Sequence, residues 1–149
     1  MNITINSLLL ISDQDLFQLI FEDACSLLNI TLNLKFINSL EEADKQIREG
    51  FNADFKKKPN CIIIDLQNKK SNPEDSIELV RKINYEYGNG FVLGILGGNS
   101  QVWKETVNKA QSYGASFWIE KSGDIELKLK EFKKDYKGFK EKSLGFKIY

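Results

Sequence analysis

The sequence predicts a doubly wound α/β domain: a five-stranded parallel sheet in the order 2-1-3-4-5 with helices on both faces. Three observations predict it. Short apolar runs, Leu8-Leu9-Leu10-Ile11 and Cys61-Ile62-Ile63-Ile64 above all, read as strands buried on both faces. Segments of helical periodicity alternate with these runs along the chain, the pattern of right-handed βαβ units. Charged residues stand where three of the runs end, and in open parallel sheets ligands sit outside the carboxyl ends of the strands.

A chain of 149 residues is expected to form one domain, with a core over about residues 6–138 and a helix extension or tail over 139–149. With 21 basic and 21 acidic residues the net charge is zero, which argues against nucleic acid as a partner. The segment from Ile125 onward carries eight Lys against four acids and reads as a solvated helix face. There is no histidine, which excludes histidine bases, histidine metal sites and a phosphohistidine role. Cys25 and Cys61 lie in apolar runs and read as small core hydrophobes, not as a disulfide. With no basic leader and no apolar run approaching 18 residues, the chain is expected to be cytoplasmic and away from membranes.

The elements follow in order. Ser7 to Ile11 forms the first strand, and Asp15 to Asn29 a helix whose apolar stripe is read as Leu16, Ile20, Ala24 and Leu27, widened by Phe17, Phe21 and Leu28. Asp13 or Asp15 would cap that helix. Thr31 to Ile37 alternates and suits a half-exposed strand near an edge. Ser39-Leu40-Glu41-Glu42 is a capping box that opens a helix to about Arg48, with Gly50 as its stop. A polar loop over residues 51–60 leads to the strand Cys61–Asp65. Pro73 suits the first turn of a helix to about Tyr87 that turns Ile77, Val80 and Ile83 inward and stops at Gly88-Asn89-Gly90. Phe91 to Leu96 is the fourth strand. Ser100 would cap the next helix, which ends at Tyr113-Gly114. Ala115 to Glu120 is the fifth strand, and the last helix runs from Gly123 or Asp124 to about Lys142.

Asp13, Asp65 and Lys121 fall at the carboxyl ends of strands one, three and five, which converge on one crevice in this strand order. Two facing carboxylates repel unless a cation lies between them. Carboxylates, a carbonyl and water are hard ligands that favour Mg²⁺. A lysine opposite would balance an anion bound beside the metal.

With these residues the chain resembles the receiver domains of bacterial response regulators, a chemotaxis-regulator-like, flavodoxin-like family, over about residues 6–138. Gly114-Ala115-Ser116-Phe117-Trp118-Ile119-Glu120-Lys121 is similar to the family's G-A-x-x-[YF]-[IVL]-x-K pattern. The resemblance implies that Asp65 is the phosphoacceptor and that Lys121 contacts the phosphoryl group. It implies Mg²⁺ on Asp13, Asp65 and the backbone carbonyl of Gln67, with Ser12 a weak contributor through water. It further implies a stand-alone module of a two-component phosphorelay that takes its phosphoryl group from a sensor histidine kinase or a small phosphodonor. Such a module signals by protein contact through helix four, strand five and helix five, and two copies could meet as a homodimer.

The departures are equally specific. Ser12 replaces the first acid of the metal-binding pair, which should weaken Mg²⁺. The strand-four position that carries Ser or Thr in the family is Leu96, or Gly97 if the register slips by one; neither has a hydroxyl. Trp118 holds the aromatic switch position and is larger than Tyr or Phe. Ser122 follows Lys121 where proline is usual. A pseudo-receiver, the same fold as an unphosphorylated binding module, is the alternative. A third reading is a haloacid-dehalogenase-type phosphatase on Asp13-Gln14-Asp15, which lacks the Thr or Val that family wants at Phe17.

Overall fold

The computed structural model describes residues 5–49, 59–86, 91–141 and 146–149. The stops expected at Gly50 and at 88–90, and most of the 51–60 loop, lie outside these residues. The order is β1 (Ile5–Ile11), α1 (Asp15–Leu28), β2 (Thr31–Ile37), α2 (Leu40–Arg48), β3 (Cys61–Asp65), α3 (Pro73–Tyr85), β4 (Val92–Gly97), α4 (Lys104–Ser112), β5 (Phe117–Glu120), α5 (Ile125–Glu141) and β6 (Lys147–Ile148). The sheet is parallel throughout, in the order β2-β1-β3-β4-β5-β6. The predicted five strands are present in the predicted order; the sixth is a correction to the tail, which returns to the sheet after α5.

The pattern in β3 explains its place. All five residues are buried, the odd and even positions facing two separate cores. Ile62 and Ile64 join Val80, Ile83, Ile95 and Trp118 on the face covered by α2, α3 and α4. Cys61 and Ile63 join Phe21, Phe117, Phe132 and Phe139 on the face covered by α1 and α5. Phe117 centres the second core, its ring 4.5 Å from Phe132 and 5.3 Å from Phe139. Gly94 lies opposite Phe117 because no side chain fits there: a Cβ would stand 1.9 Å from the Phe117 ring.

The caps follow the sequence in part. Ser39 Oγ accepts the Glu42 N–H at 3.1 Å, and Asn72 accepts the Asp75 N–H at 3.0 Å ahead of Pro73. The α1 expectation is corrected twice. Its N-cap is Gln14, with neither Asp13 nor Asp15 capping. Its buried residues are Phe21, Ala24 and Cys25, while Leu16, Ile20 and Leu27 are exposed. The helix is apolar over more than half of its circumference, so periodicity alone could not choose the phase; the wall of aromatics from α5 chose it. Ser100 does not cap α4, which begins at Lys104 behind a turn held by the Asn99 side chain.

Both cysteines are free and buried. Burial, with Glu22 nearby, pushes the Cys25 thiol up to about 12, and burial beside Cys25 raises Cys61 well above its ordinary value. Thiolates, not thiols, attack disulfide reagents. Neither cysteine is therefore expected to react with an aromatic disulfide reagent in the folded chain, and both should react after unfolding in guanidinium, as followed by absorbance. Reaction of either one at native-state rates would contradict this packing.

Candidate functional site

The site forms where β1, β3 and β5 end. Asp65, the last residue of β3, is fully buried. A buried carboxylate needs compensation, and this one has three donors. Its Oδ2 accepts from Ser12 Oγ at 2.8 Å and from Lys121 Nζ at 2.9 Å. Its Oδ1 accepts the Gln67 N–H at 2.9 Å. The Lys121 side chain is only 10% exposed, so the ion pair is shielded from solvent.

Gln14 closes the cluster. Its Oε1 accepts from Lys121 Nζ at 2.9 Å, and its amide nitrogen donates to the Gln67 carbonyl. The Gln14 N–H donates to Ser12 Oγ at 3.3 Å, so that one hydroxyl serves as donor to Asp65 and acceptor from Gln14. The Lys121 ammonium lies 4.3 Å from the centre of the Phe17 ring, which adds a cation–π contact. The cluster holds one negative and one positive charge and is neutral without any added ion.

Asp13 turns to a different task. Its two oxygens accept the Lys69 and Lys70 N–H groups at 2.9 Å each, and its own N–H donates to Asn68 Oδ1 at 3.0 Å. The carboxylate clasps the β3–α3 loop. Asp15 is exposed in the first turn of α1. The cleft beside Asp13 is lined by Ser39, Asn68, Lys70 and Asp75, and Asp65 does not open onto it.

These contacts decide how the expected Mg²⁺ ligands stand. Of Asp13, Asp65, the Gln67 carbonyl and Ser12, only Ser12 and Asp65 meet, and the hydroxyl points its proton at the carboxylate. The Gln67 carbonyl is occupied by a donor amide and Asp13 by loop amides. Among the described residues, no three His, Cys, Asp or Glu side chains come together as a metal site. As arranged, the four groups do not gather into one ligand set for the ion. The physical reason is Ser12: with one acid gone, Lys121 alone neutralises Asp65, and no like-charge repulsion calls for a divalent cation.

The switch positions have an equally definite arrangement. Leu96 pairs with Asp65 in register, and its side chain is buried in the core under α1 and α5. Gly97 is the residue beside the site, its carbonyl accepting the Lys121 N–H at 2.9 Å. Trp118 is fully buried, and a Cβ on Gly97 would come within 2.4 Å of its Cζ2. The indole therefore fills the volume that a residue-97 side chain would take. Its Nε1 donates to the Gly98 carbonyl at 3.1 Å. Gly98 stands against Trp103 in the same way, and the two indoles meet edge to face at 6.2 Å. Two glycines thus seat two tryptophans across the β4 exit, while Glu120 Oε1 accepts the Ser100 N–H at 2.9 Å and ties the same loop to β5.

The sequence analysis singled out Asp65, Lys121, Ser12, Gly97 and Trp118, and the structure gathers them around the ends of β1, β3, β4 and β5. It missed Gln14, Phe17, Asn68, Gly98 and the contact between Trp103 and Trp118. An amide next to a strand end carries no signal until its partners are known. The Gly97-Gly98 pair was visible but reads as an ordinary strand exit until the indoles are placed.

Several solved structures that superpose on this chain are response regulators. A two-component response regulator from Cytophaga hutchinsonii superposes with a TM-score of 0.70 at 17% identity, covering 91% of this chain and 98% of that one. A response regulator in red light signalling of R. palustris gives 0.70 at 18% identity, over 88% and 91% of the two chains. A chemotaxis response regulator of Vibrio cholerae gives 0.61 at 16%, over 88% and 98%. No protein-family model and no curated protein matches the chain. The fold is receiver-like, at sequence identities that speak for the fold alone.

Proposed function

We propose that this chain is a receiver-like protein–protein signalling module in which the Asp65 cluster is a structural lock, a pseudo-receiver that works without aspartyl phosphate. The observation that carries the reading is the Gln14 side chain, which accepts from Lys121 and reaches the Gln67 carbonyl, so that a neutral hydrogen-bonded ring includes Asp65. Asp65 has no exposed surface for an incoming phosphodonor, and the Trp118 indole lies where a coupling side chain on β4 would have to act. Output would pass through protein contact on the side of α4 and α5, where residues 146–149 cover the β5 edge and the lysines of α5 are presented. No helix among the described residues is long and apolar enough to cross a membrane.

One observation favours the phosphoacceptor reading. Lys121 and Asp65 form a charged pair 2.9 Å apart, reaching across the end of β4 from the ends of β5 and β3, the pairing expected of an acceptor and its phosphoryl contact. In that reading a sensor histidine kinase or a small phosphodonor supplies the group, and Ser12 must first release the carboxylate and Gln14 the Lys121 ammonium.

Intact mass after incubation with acetyl phosphate, with and without Mg²⁺, separates the two. No phosphoryl gain is expected, and Mg²⁺ should leave Trp118 fluorescence unchanged. Gain of one phosphoryl group that Asp65→Ala abolishes would overturn the pseudo-receiver reading and establish the other.

A further inference from the structure

The sheet does not end at β5. Residues 146–149 lie along its outer edge in parallel register, with Lys147 opposite Phe117 and Ile148 opposite Trp118. The Tyr149 N–H donates to the Trp118 carbonyl at 3.0 Å, and the Glu120 N–H donates to the Tyr149 carbonyl at 3.3 Å. Strand alternation sends Lys147 and Tyr149 to one face and Phe146 and Ile148 to the other. On the α5 face, Asp135 Oδ2 accepts from both Lys147 Nζ at 2.7 Å and the Tyr149 hydroxyl at 3.0 Å. The Tyr149 ring meets Phe139 edge-on at 6.0 Å. On the opposite face Phe146 packs against the core that contains Trp118.

This attachment is specific but light. β6 is two residues long and both are exposed. Its hold comes from an edge ladder, one aspartate and one aromatic contact, and segments held in this way open well below the free energy of global unfolding. An uncovered sheet edge offers unpaired N–H and C=O groups to any extended segment that fits.

We propose that residues 146–149 are an exchangeable edge strand, and that the β5 edge of one molecule takes the same segment from a second copy to give a two-fold, reciprocally exchanged dimer. The occupant is argued from the fit. Asp135 and Phe139 require a cation and a phenol two residues apart on one strand face, and the backbone register must match at Trp118 and Glu120. A second copy carries all of these. Only four residues, 142–145, separate Phe146 from the end of α5. Exchange keeps every contact and changes only which molecule supplies the segment. The balance is therefore set by the effective concentration of the tethered strand, on the order of millimolar for a short link. The inference does not depend on whether Asp65 is phosphorylated.

Sedimentation of a chain lacking residues 143–145 tests it. A link of one residue is too short to return the strand to its own β5 edge, so the variant is expected to be dimeric at tens of micromolar, a concentration at which the native chain is expected to be monomeric. Adding Lys147→Ala and Tyr149→Ala should return it to monomer. A monomeric shortened chain that keeps native Trp118 fluorescence, or a dimer that survives the double substitution, overturns the proposal. Should the shortened chain not fold, the native chain at about 1 mM provides the second measurement: a dimer fraction lost in the Lys147→Ala, Tyr149→Ala variant is expected, and none at that concentration overturns the proposal.

Discussion

Asp65→Ala is expected to destabilise the chain by about 3–5 kcal/mol, because removing one partner of a buried ion pair leaves the other charge uncompensated. The stranded group is Lys121, whose side chain is 10% exposed; Ser12 Oγ and the Gln67 N–H lose their acceptor as well. For a domain of this size each kcal/mol moves the melting temperature by roughly 2–4 °C, so a drop on the order of 10 °C should appear in a thermal scan. The sign is diagnostic. Where several carboxylates crowd one site, removing one relieves repulsion and raises stability; here, among the described residues, Asp65 is the acid paired with Lys121, and the change must lower it. Lys121→Met should cost a similar amount by leaving the carboxylate unpaired. The pair Asp65→Leu and Lys121→Met should cost far less than the sum of the single changes, since replacing both ions by apolar groups removes the unpaired charge. A stabilising Asp65→Ala would remove the lock on which the pseudo-receiver reading rests.

The second large effect is a size exchange between Gly97 and Trp118. Gly97→Thr supplies the hydroxyl that the strand-four position lacks, but its Cβ would stand 2.4 Å from the Trp118 ring. Overpacking of this kind costs about 1–3 kcal/mol, and because the indole is fully buried and bound to the Gly98 carbonyl, it must leave its place. A red shift in tryptophan emission should accompany the loss of stability. Trp118→Tyr alone leaves a gap over Gly97 and is also destabilising. In the double variant the smaller ring makes room for the larger strand residue, so the two costs should cancel in part, with a coupling of about 1 kcal/mol or more in a denaturant-unfolding cycle. Simple additivity, with unchanged emission in the Gly97→Thr variant, would mean that the two residues do not share one volume.

The lock also gives the departures from the receiver pattern a common physical sense. Ser12 removes the charge that would call for a metal, and Gln14 supplies a neutral bridge in its place. Gly97 removes a side chain, and Trp118 fills the space. In the proposed reading these residues together make one neutral, hydrogen-bonded and well-packed site. Asp13 illustrates the same economy, since a carboxylate freed from the cluster holds the β3–α3 loop through two backbone amides.

The sequence by itself determined the architecture. Five buried or half-buried strands in alternation with helices admit few topologies, and the residues at strand ends are known as soon as the strands are, so Asp13, Asp65 and Lys121 were legible as neighbours, while Ser12 and Trp118 entered through the family resemblance. Strands and their ends are properties of local pattern and chain connectivity. The tertiary structure alone decided which way side chains turned. It set the phase of α1, whose apolar residues, Leu16 and Ile20 as well as Phe21 and Cys25, are equivalent in a periodicity but not against the aromatics of α5. It sent Asp13 to the loop and brought Gln14 to Lys121, because hydrogen-bond partners 53 to 107 residues apart leave no trace in local spacing. It also returned residues 147–148 to the sheet, since a two-residue strand carries too little hydrophobic pattern to be read and exists only because the β5 edge, Asp135 and Phe139 are there to receive it.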